Sequence, residues 1–145
     1  MLSFDDFETL VFLQDDPANY VVGFEKGQRF VPIYVGETGN LTCRRADHIR
    51  AQFGAQTDFK VGTAIRFLQK RAFKVLLKYH AGSPNQKERN KEEERLKAEL
   101  RSHDYSLLND IPGYSYLSAD REEEAGKIEA FVESAINQAD TKVNT

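Results

Sequence analysis

The sequence predicts an α/β fold of the α+β type, in which a small, three-stranded, mainly antiparallel sheet is flanked by helices. Three β-rich runs predict the strands, and the first two are close enough along the chain to pair as a hairpin. Segments with apolar residues three or four positions apart predict the helices around them. The 145 residues fit one domain, 1–145, which can bury about two-thirds of the surface that the unfolded chain exposes.

The first two predicted elements are a helix and a hairpin. Ser3 and Asp6 have the spacing of a capping pair, and the apolar residues after them predict an extra N-terminal helix over 3–14. An Asp-Asp-Pro sequence then ends this helix. The arms 20–24 and 30–35 are rich in β-branched and aromatic residues and flank a Glu-Lys-Gly-Gln turn, which predicts a hairpin.

The rest of the chain alternates between helical and β-rich patterns. Pro32 has no amide donor, so it predicts an irregularity or an unpaired side in the second arm of the hairpin. Ser83, just before a proline, is the predicted cap of the helix that follows it. The elements predicted after the hairpin are helix 41–53, helix 57–69, strand 72–80, helix 84–102 and an extra C-terminal helix 119–138.

Charge is distributed unevenly along the chain. Residues 1–16 contain five acidic and no basic residues, residues 17–101 contain 17 basic and nine acidic ones, and residues 102–145 contain three basic and nine acidic ones. The net charge of −3 therefore conceals a basic middle. A surface drawn from that middle would attract a polyanion such as DNA, and mixed charges on solvated helix faces are the alternative explanation.

The composition also bears on the compartment. The single cysteine, Cys43, cannot form an internal disulfide, and the acidic N-terminal residues do not match a secretory signal. No apolar run approaches the roughly 18 residues that a membrane span requires. We therefore expect a cytoplasmic protein that does not enter a membrane.

The stretch IYVGETGNLTCRRADH joins the second arm of the hairpin to the helix predicted over 41–53. Arg44 and His48 are four residues apart, so they would share one face of that helix, and Tyr34 ends the strand before it. A guanidinium can bind phosphate oxygens through two hydrogen bonds, and a phenol or an imidazole can accept a proton from water. These groups indicate phosphoryl chemistry, and a solvated arginine pair with a half-buried histidine is the alternative.

The same stretch resembles the core motif of the GIY-YIG nuclease family. In that motif a strand ends in Tyr-Ile-Gly and leads through Asn-Leu to a helix that carries an arginine and a histidine. The matching residues are Tyr34-Val35-Gly36, Asn40-Leu41, Arg44 and His48, and the first half of the motif looks like Ala18-Asn19-Tyr20. The resemblance covers about residues 18–109, so the two terminal helices would flank a GIY-YIG-like core.

The resemblance also implies a metal-binding glutamate on a later helix and an asparagine after that helix. Family helices carry an arginine, a glutamate four residues later and then two apolar residues. The residues in this order are Arg89, Glu93, Leu96 and Leu100. Glu93 is thus the expected metal ligand and Asn109 the expected asparagine, with Glu92, Glu94 and Glu99 as alternative ligands. Without the resemblance, an exposed helix face in which Glu93 pairs with Lys97 explains the same run.

The implied function is that of a metal-dependent endonuclease that hydrolyses phosphodiester bonds in DNA, with RNA as a substrate left open. Glu93 would bind Mg²⁺ or Mn²⁺, and a protein partner or a homodimer could supply specificity. The implied catalytic residues are Tyr20, Tyr34, Arg44, His48, Glu93 and Asn109, and the expected nucleic-acid contacts are Arg44, Arg45 and Lys26. Glu37 stands where some members have a lysine. This difference favours the alternative of a catalytically weak or inactive nucleic-acid-binding or regulatory module on the same fold.

Overall fold

The computed structural model describes residues 8–9, 16–40, 56–111 and 118–142. The elements within these residues are β1 (Glu8–Thr9), β2 (Ala18–Lys26), β3 (Arg29–Thr38), α1 (Gln56–Lys70), β4 (Lys74–Ala81), α2 (Gln86–Ser102), a 3₁₀ turn (Leu108–Asp110) and α3 (Ser118–Lys142). The fold belongs to the α+β class, as the sequence predicts. In the described part of the chain, no helix is long and apolar enough to cross a membrane.

Neighbouring strands of the sheet are antiparallel throughout, in the order β1-β4-β2-β3. β2 and β3 form the predicted hairpin, and Gly27 in its turn has a φ of +65°, a value that favours glycine. The register of the pair shifts between Val22 and Gly23, opposite Pro32. The irregularity predicted from the proline is therefore confirmed.

Helices cover both faces of the sheet. On one face, Tyr20 and Phe24 of β2 belong to the same buried cluster as residues of α1 and α3. On the other face, Val21 of β2 and Val35 of β3 form a second cluster with two leucines of α2. Successive residues of a strand point to opposite faces, so a strand covered on both faces is a continuous apolar run rather than an alternating one.

β3 is an edge strand, and the segment that follows α2 covers part of its edge. Leu107 belongs to the cluster on the α2 face and Leu108 to the cluster on the opposite face, so the chain crosses the edge between them. Asn109 Nδ2 donates to Val35 O at 2.7 Å, and Asn109 Oδ1 accepts from Val35 N at 3.0 Å. This one side chain therefore supplies both bonds that a neighbouring strand would make to Val35.

Four of the predicted elements are confirmed with small shifts at their ends. Helix 57–69 corresponds to α1, strand 72–80 to β4, helix 84–102 to α2 and helix 119–138 to α3. The helix predicted over 41–53 lies outside the described residues.

Two details of the prediction are wrong. Glu8–Thr9, inside the predicted helix 3–14, form strand β1 instead, because the outer edge of β4 offers unpaired backbone groups at Tyr79 and Lys78. The rest of 3–14 lies outside the described residues. The cap of α2 is Asn85 rather than Ser83, since Asn85 Oδ1 accepts from the amide of the second helical residue at 2.8 Å.

Candidate active site at the end of strand β3

Predicted site residues that are far apart in the sequence meet at the last five residues of β3, Tyr34–Thr38, which we call the β3 end. Tyr20 lies beside the β3 end on β2, and Asn109 hydrogen-bonds to its backbone. Glu93 on α2 lies close enough to Glu37 for the two carboxylates to interact. β2, β3, α2 and the turn after α2 thus each place a predicted site residue here.

Tyr20 and Tyr34 lie on the face of the sheet that α1 and α3 cover. Their ring centroids are 6.2 Å apart, and the ring planes are inclined at 48°. Tyr20 is completely buried, and a Cβ on Gly36 would lie only 2.4 Å from its hydroxyl oxygen. The glycine of the Tyr-Val-Gly motif is therefore required for the packing of Tyr20. Tyr34 is also buried, at 8% exposure, so it is only the more accessible member of this pair.

A buried polar cluster lies on the opposite face, and we call its members Asn19, Glu37 and Arg89 the clasp. Arg89 Nε donates to Glu37 Oε2 at 2.8 Å, and these side chains are only 8% and 15% exposed. Arg89 Nη1 donates to Ser83 O at 2.8 Å, and Asn19 Nδ2 donates to Arg89 O at 2.9 Å. The planar guanidinium holds its acceptors in fixed directions, so the clasp ties the start of α2 to β2, to β3 and to the loop before α2.

Glu93 lies one helical turn after Arg89, on the side of α2 that faces the sheet. Its side chain is 22% exposed, and Lys97 Nζ lies 3.5 Å from Glu93 Oε1. Burial raises the pKa of Glu93, Lys97 opposes this change, and the nearby charge of Glu37 adds to it. A bound cation would relieve both the desolvation and the repulsion, so the surroundings of Glu93 suit a metal ligand.

The surroundings of Glu93 differ from those of the other glutamates of α2. Glu92 binds Arg95, and this hydrogen bond lowers the pKa of Glu92. Glu99 also binds Arg95, at 3.0 Å, and Glu94 is 68% exposed. Of the four glutamates considered from the sequence, Glu93 is the one that combines partial burial with a position beside Glu37. The pairing of Glu93 with Lys97 is present as well, so the two interpretations of this run are compatible.

A partly buried carboxylate such as Glu93 is a type of ligand that Mg²⁺ or Mn²⁺ accepts. Among the described residues, no three or more His, Cys, Asp or Glu side chains are grouped so that they could hold a metal ion. Mg²⁺ commonly binds one or two carboxylates and completes its shell with water and substrate phosphate. Glu93 with Glu37 beside it matches that requirement.

The structure does not place all the predicted residues on one face of the sheet. Tyr34 and Val35 are consecutive, so their side chains point to opposite faces. The tyrosines belong to the cluster on the α1 and α3 face, whereas Glu37 and Glu93 lie on the α2 face with Val35. Strand β3 therefore stands between the phenols and the carboxylates.

Lys26, an expected nucleic-acid contact, lies at the other end of the hairpin. It is six residues from Tyr20 on β2, which corresponds to about 20 Å of extended strand. Its Nζ donates to Ile136 O of α3 at 2.9 Å. The structure therefore does not bring Lys26 to the β3 end. The other predicted residues, Arg44, Arg45 and His48, lie outside the part of the chain that the structure describes.

Asn19 and Lys60 are supporting residues that the sequence did not predict. Asn19 is 1% exposed inside an apolar run, and a polar residue in such a run is a signal of a buried partner. Lys60 Nζ donates to Leu108 O and to Ile111 O at 3.1 Å each, so it holds the turn after α2. Burial lowers the pKa of Lys60, and Asp110 opposes this change. No pattern in the sequence distinguishes Lys60 from a surface lysine.

No family model matches this chain, and neither a curated protein nor a solved structure matches it.

Proposed function

We propose that the protein is a metal-dependent endonuclease of the GIY-YIG type that hydrolyses phosphodiester bonds in DNA in the cytoplasm. The observation that carries this proposal is the convergence at the β3 end. Tyr20 and Asn109 contact the strand that bears the Tyr-Val-Gly motif, although 89 positions separate them. Glu93 lies on the face of that strand opposite Tyr20, close enough to Glu37 for their charges to interact. The order of these residues along the chain supports the same family.

Glu93 is the proposed ligand of Mg²⁺ or Mn²⁺, and Glu37 adds negative charge beside it. When bound, such an ion would neutralise charge on the phosphate and lower the pKa of a coordinated water. Arg89 holds Glu37 at 2.8 Å, whereas Lys97 lies 3.5 Å from Glu93, so Glu93 is the carboxylate more open to a cation.

Tyr34 is the proposed proton acceptor or water-orienting group, because it keeps 8% of its surface exposed whereas Tyr20 is completely buried. A free phenol titrates near pH ~10, so neighbouring positive charge is needed before Tyr34 can act as a base at neutral pH. Arg44 is proposed to bind the phosphate and His48 to orient the phenol. Complete burial of Tyr20 favours a supporting role, in which its ring packs over Gly36.

Plasmid cleavage tests this proposal. The full chain is incubated with supercoiled DNA and Mg²⁺ or Mn²⁺, with EDTA as a control, and Glu93→Gln is compared with Glu94→Gln. Glu94 is the matched control, because it also pairs with Lys97 but is exposed. We expect nicking that requires metal, a loss of at least about 100-fold in Glu93→Gln and little change in Glu94→Gln. Cleavage that survives Glu93→Gln would contradict the proposal.

The second candidate is a nucleic-acid-binding module on the same fold without catalysis. The observation that favours it is Glu37, which stands in place of the lysine of some members and is bound by Arg89. This candidate predicts DNA binding that weakens as the salt concentration rises, with no cleavage in either metal. Binding and cleavage measured on the same preparation therefore separate the two functions.

A further inference from the structure

Arg89 connects the pieces of chain that surround the β3 end. Its guanidinium binds Glu37 of β3 and Ser83 O in the loop before α2, each at 2.8 Å. Its backbone oxygen accepts from Asn19 of β2 at 2.9 Å. A Cβ on Gly39 would lie 3.6 Å from Arg89 Nη2, so the guanidinium also lies against the turn that follows β3. One residue thus contacts both strands of the hairpin, the turn after β3 and the loop before α2.

Asn19 donates to the carbonyl oxygen that also accepts the helical hydrogen bond of the Glu93 amide. In an α-helix, each amide donates to the carbonyl oxygen four residues earlier, so the helical acceptor for Glu93 is the oxygen of Arg89. Asn19 is 1% exposed, and a buried amide is fixed in orientation because any other orientation leaves polar groups unpaired. Asn19 therefore ties β2 directly to the turn of α2 that carries Glu93.

The clasp fixes the orientation of α2 against the sheet more closely than the burial of its leucines requires. Leu96 and Leu100 already bury α2 against the sheet, at 1% and 0% exposure. A buried ion pair contributes little stability compared with apolar residues of similar volume. Its distinct contribution is directional, because the fork of Arg89 binds Glu37 and a backbone oxygen at the same time.

We propose that Asn19, Glu37 and Arg89 are positioning residues for the metal-binding carboxylate of Glu93. The clasp fixes the start of α2 against β2 and β3, and so sets the position of Glu93 relative to the β3 end. This inference rests on the proposed metal-dependent nuclease. It also assigns a role to Glu37, which stands where some GIY-YIG nucleases have a lysine. In this chain, the role of Glu37 is to anchor α2.

Arg89→Lys tests the clasp without a change of charge. A lysine ammonium can reach Glu37 or the oxygen of Ser83, but it lacks the planar fork that binds both. The matched control is Arg95→Lys, since Arg95 also binds two acceptors, here two carboxylates of α2, but is 58% exposed. Binding of Mn²⁺ to the full-length variants is titrated by electron paramagnetic resonance, and the thermal unfolding of each variant is recorded.

The positioning role predicts a specific loss of metal affinity. We expect Arg89→Lys to weaken Mn²⁺ binding on the order of tenfold and Arg95→Lys to change it by less than about twofold. A purely electrostatic effect predicts no difference, because both substitutions keep the charge. Mn²⁺ affinity of a folded Arg89→Lys variant equal to that of the wild type would overturn the inference.

Asn19→Ala provides a second test if Arg89→Lys does not fold. It removes the hydrogen bond to the Arg89 oxygen and leaves every charge in place, and we expect Mn²⁺ binding to weaken by roughly threefold or more. Unchanged affinity in this variant also overturns the inference. A wild type whose Mn²⁺ binding is absent or insensitive to Glu93→Gln contradicts the proposed function and the inference with it. A wild type that binds through Glu93 while the clasp variants bind equally well contradicts the inference alone.

Discussion

The two faces of the sheet at the β3 end differ in their chemistry. On the α1 and α3 face, Tyr20 and Tyr34 belong to a continuous apolar cluster. On the α2 face, the ion pair of Arg89 and Glu37 is buried, and Glu93 is partly buried beside it. Apolar packing is what any stable sheet needs, whereas partly desolvated charges reduce stability and are typical of functional sites. We therefore assign the proposed metal-dependent chemistry to the α2 face.

The largest expected effect on stability comes from Arg89→Met. This change leaves the carboxylate of Glu37 buried without its partner, and we expect the free energy of unfolding to fall by about 3–5 kcal/mol. Arg101→Met is the control, because the pair of Arg101 with Asp110 is exposed and should contribute at most about 1 kcal/mol. Urea denaturation measures both variants. Equal losses of unfolding free energy in the two variants would show that the clasp contributes no more to stability than a surface ion pair.

The apolar face is tested by Gly36→Ala. A Cβ at this position meets the Tyr20 ring, so we expect a loss of about 1–3 kcal/mol in the free energy of unfolding. Gly126→Ala in α3 is a control of opposite sign. Among the described residues, its added Cβ meets no atom within 4 Å beyond its chain neighbours and the adjoining helix backbone, and alanine favours a helix by about 0.5–1 kcal/mol. A stable Gly36→Ala protein would mean that Tyr20 has room to move.

Lys60 predicts a pH dependence of stability. Its pKa is lowered in the folded protein, so the unfolded chain binds more protons in the window below the ordinary lysine pKa of about 10.4. The free energy of unfolding should therefore gain a rising contribution from Lys60 as the pH increases through that window. Lys60→Met should abolish this contribution, and exposed Lys127→Met should leave it in place. Identical pH profiles for the wild type and Lys60→Met would contradict this account.

The smallest expected effect is a change in melting temperature, measured without metal, that differs in sign between two neighbouring glutamates. The pKa of Glu93 is raised by burial, so the stability that its protonated form contributes is lost as the pH rises above the ordinary value of about 4.3. The pKa of Glu92 is lowered by Arg95, so its contribution is instead lost as the pH falls through the folded-state pKa. At pH 7, Glu93→Gln should therefore melt slightly higher than the wild type and Glu92→Gln slightly lower. Melting temperatures that shift in the same direction would contradict the assigned environments.

Local patterns in the sequence predict most of the fold. The hairpin, β4 and the helices α1, α2 and α3 follow from apolar spacing, which is a local property. β1 could not be predicted in this way, because Glu8–Thr9 become a strand only through pairing with β4, about 70 residues away. The cap of α2 is Asn85 rather than Ser83, two residues earlier. Residue propensities do not predict the end of a helix to within two residues.

The sequence predicts less of the candidate site than of the fold. The resemblance indicates Glu93 and Asn109, but not that Asn109 replaces a strand beside Val35. The clasp joins residues 19, 37 and 89, which are far apart in the sequence. The sequence indicates such hydrogen bonds only weakly, through a polar residue within an apolar run. The separation of the tyrosines from Glu93 by β3 follows from strand alternation, once the register of the sheet is known.

Tyr34→Phe shows whether the apolar face takes part in the chemistry. If the phenol accepts a proton during cleavage, metal-dependent nicking should fall by about 100-fold or more, with Mn²⁺ affinity unchanged. Retained nicking would restrict the chemistry to the α2 face. Tyr105→Phe serves as a control for the loss of a hydroxyl from a partly buried tyrosine that is not part of the motif.

The most direct test of the central claim is an anomalous-diffraction map of crystals grown with Mn²⁺ and a short DNA duplex. We expect one Mn²⁺ peak at about 2.0–2.2 Å from a carboxylate oxygen of Glu93, with a DNA phosphate in contact with the same ion. Glu37 should remain bound to Arg89 in that structure. A metal ion held by Glu92 or Glu99, or DNA bound away from the β3 end, would contradict it.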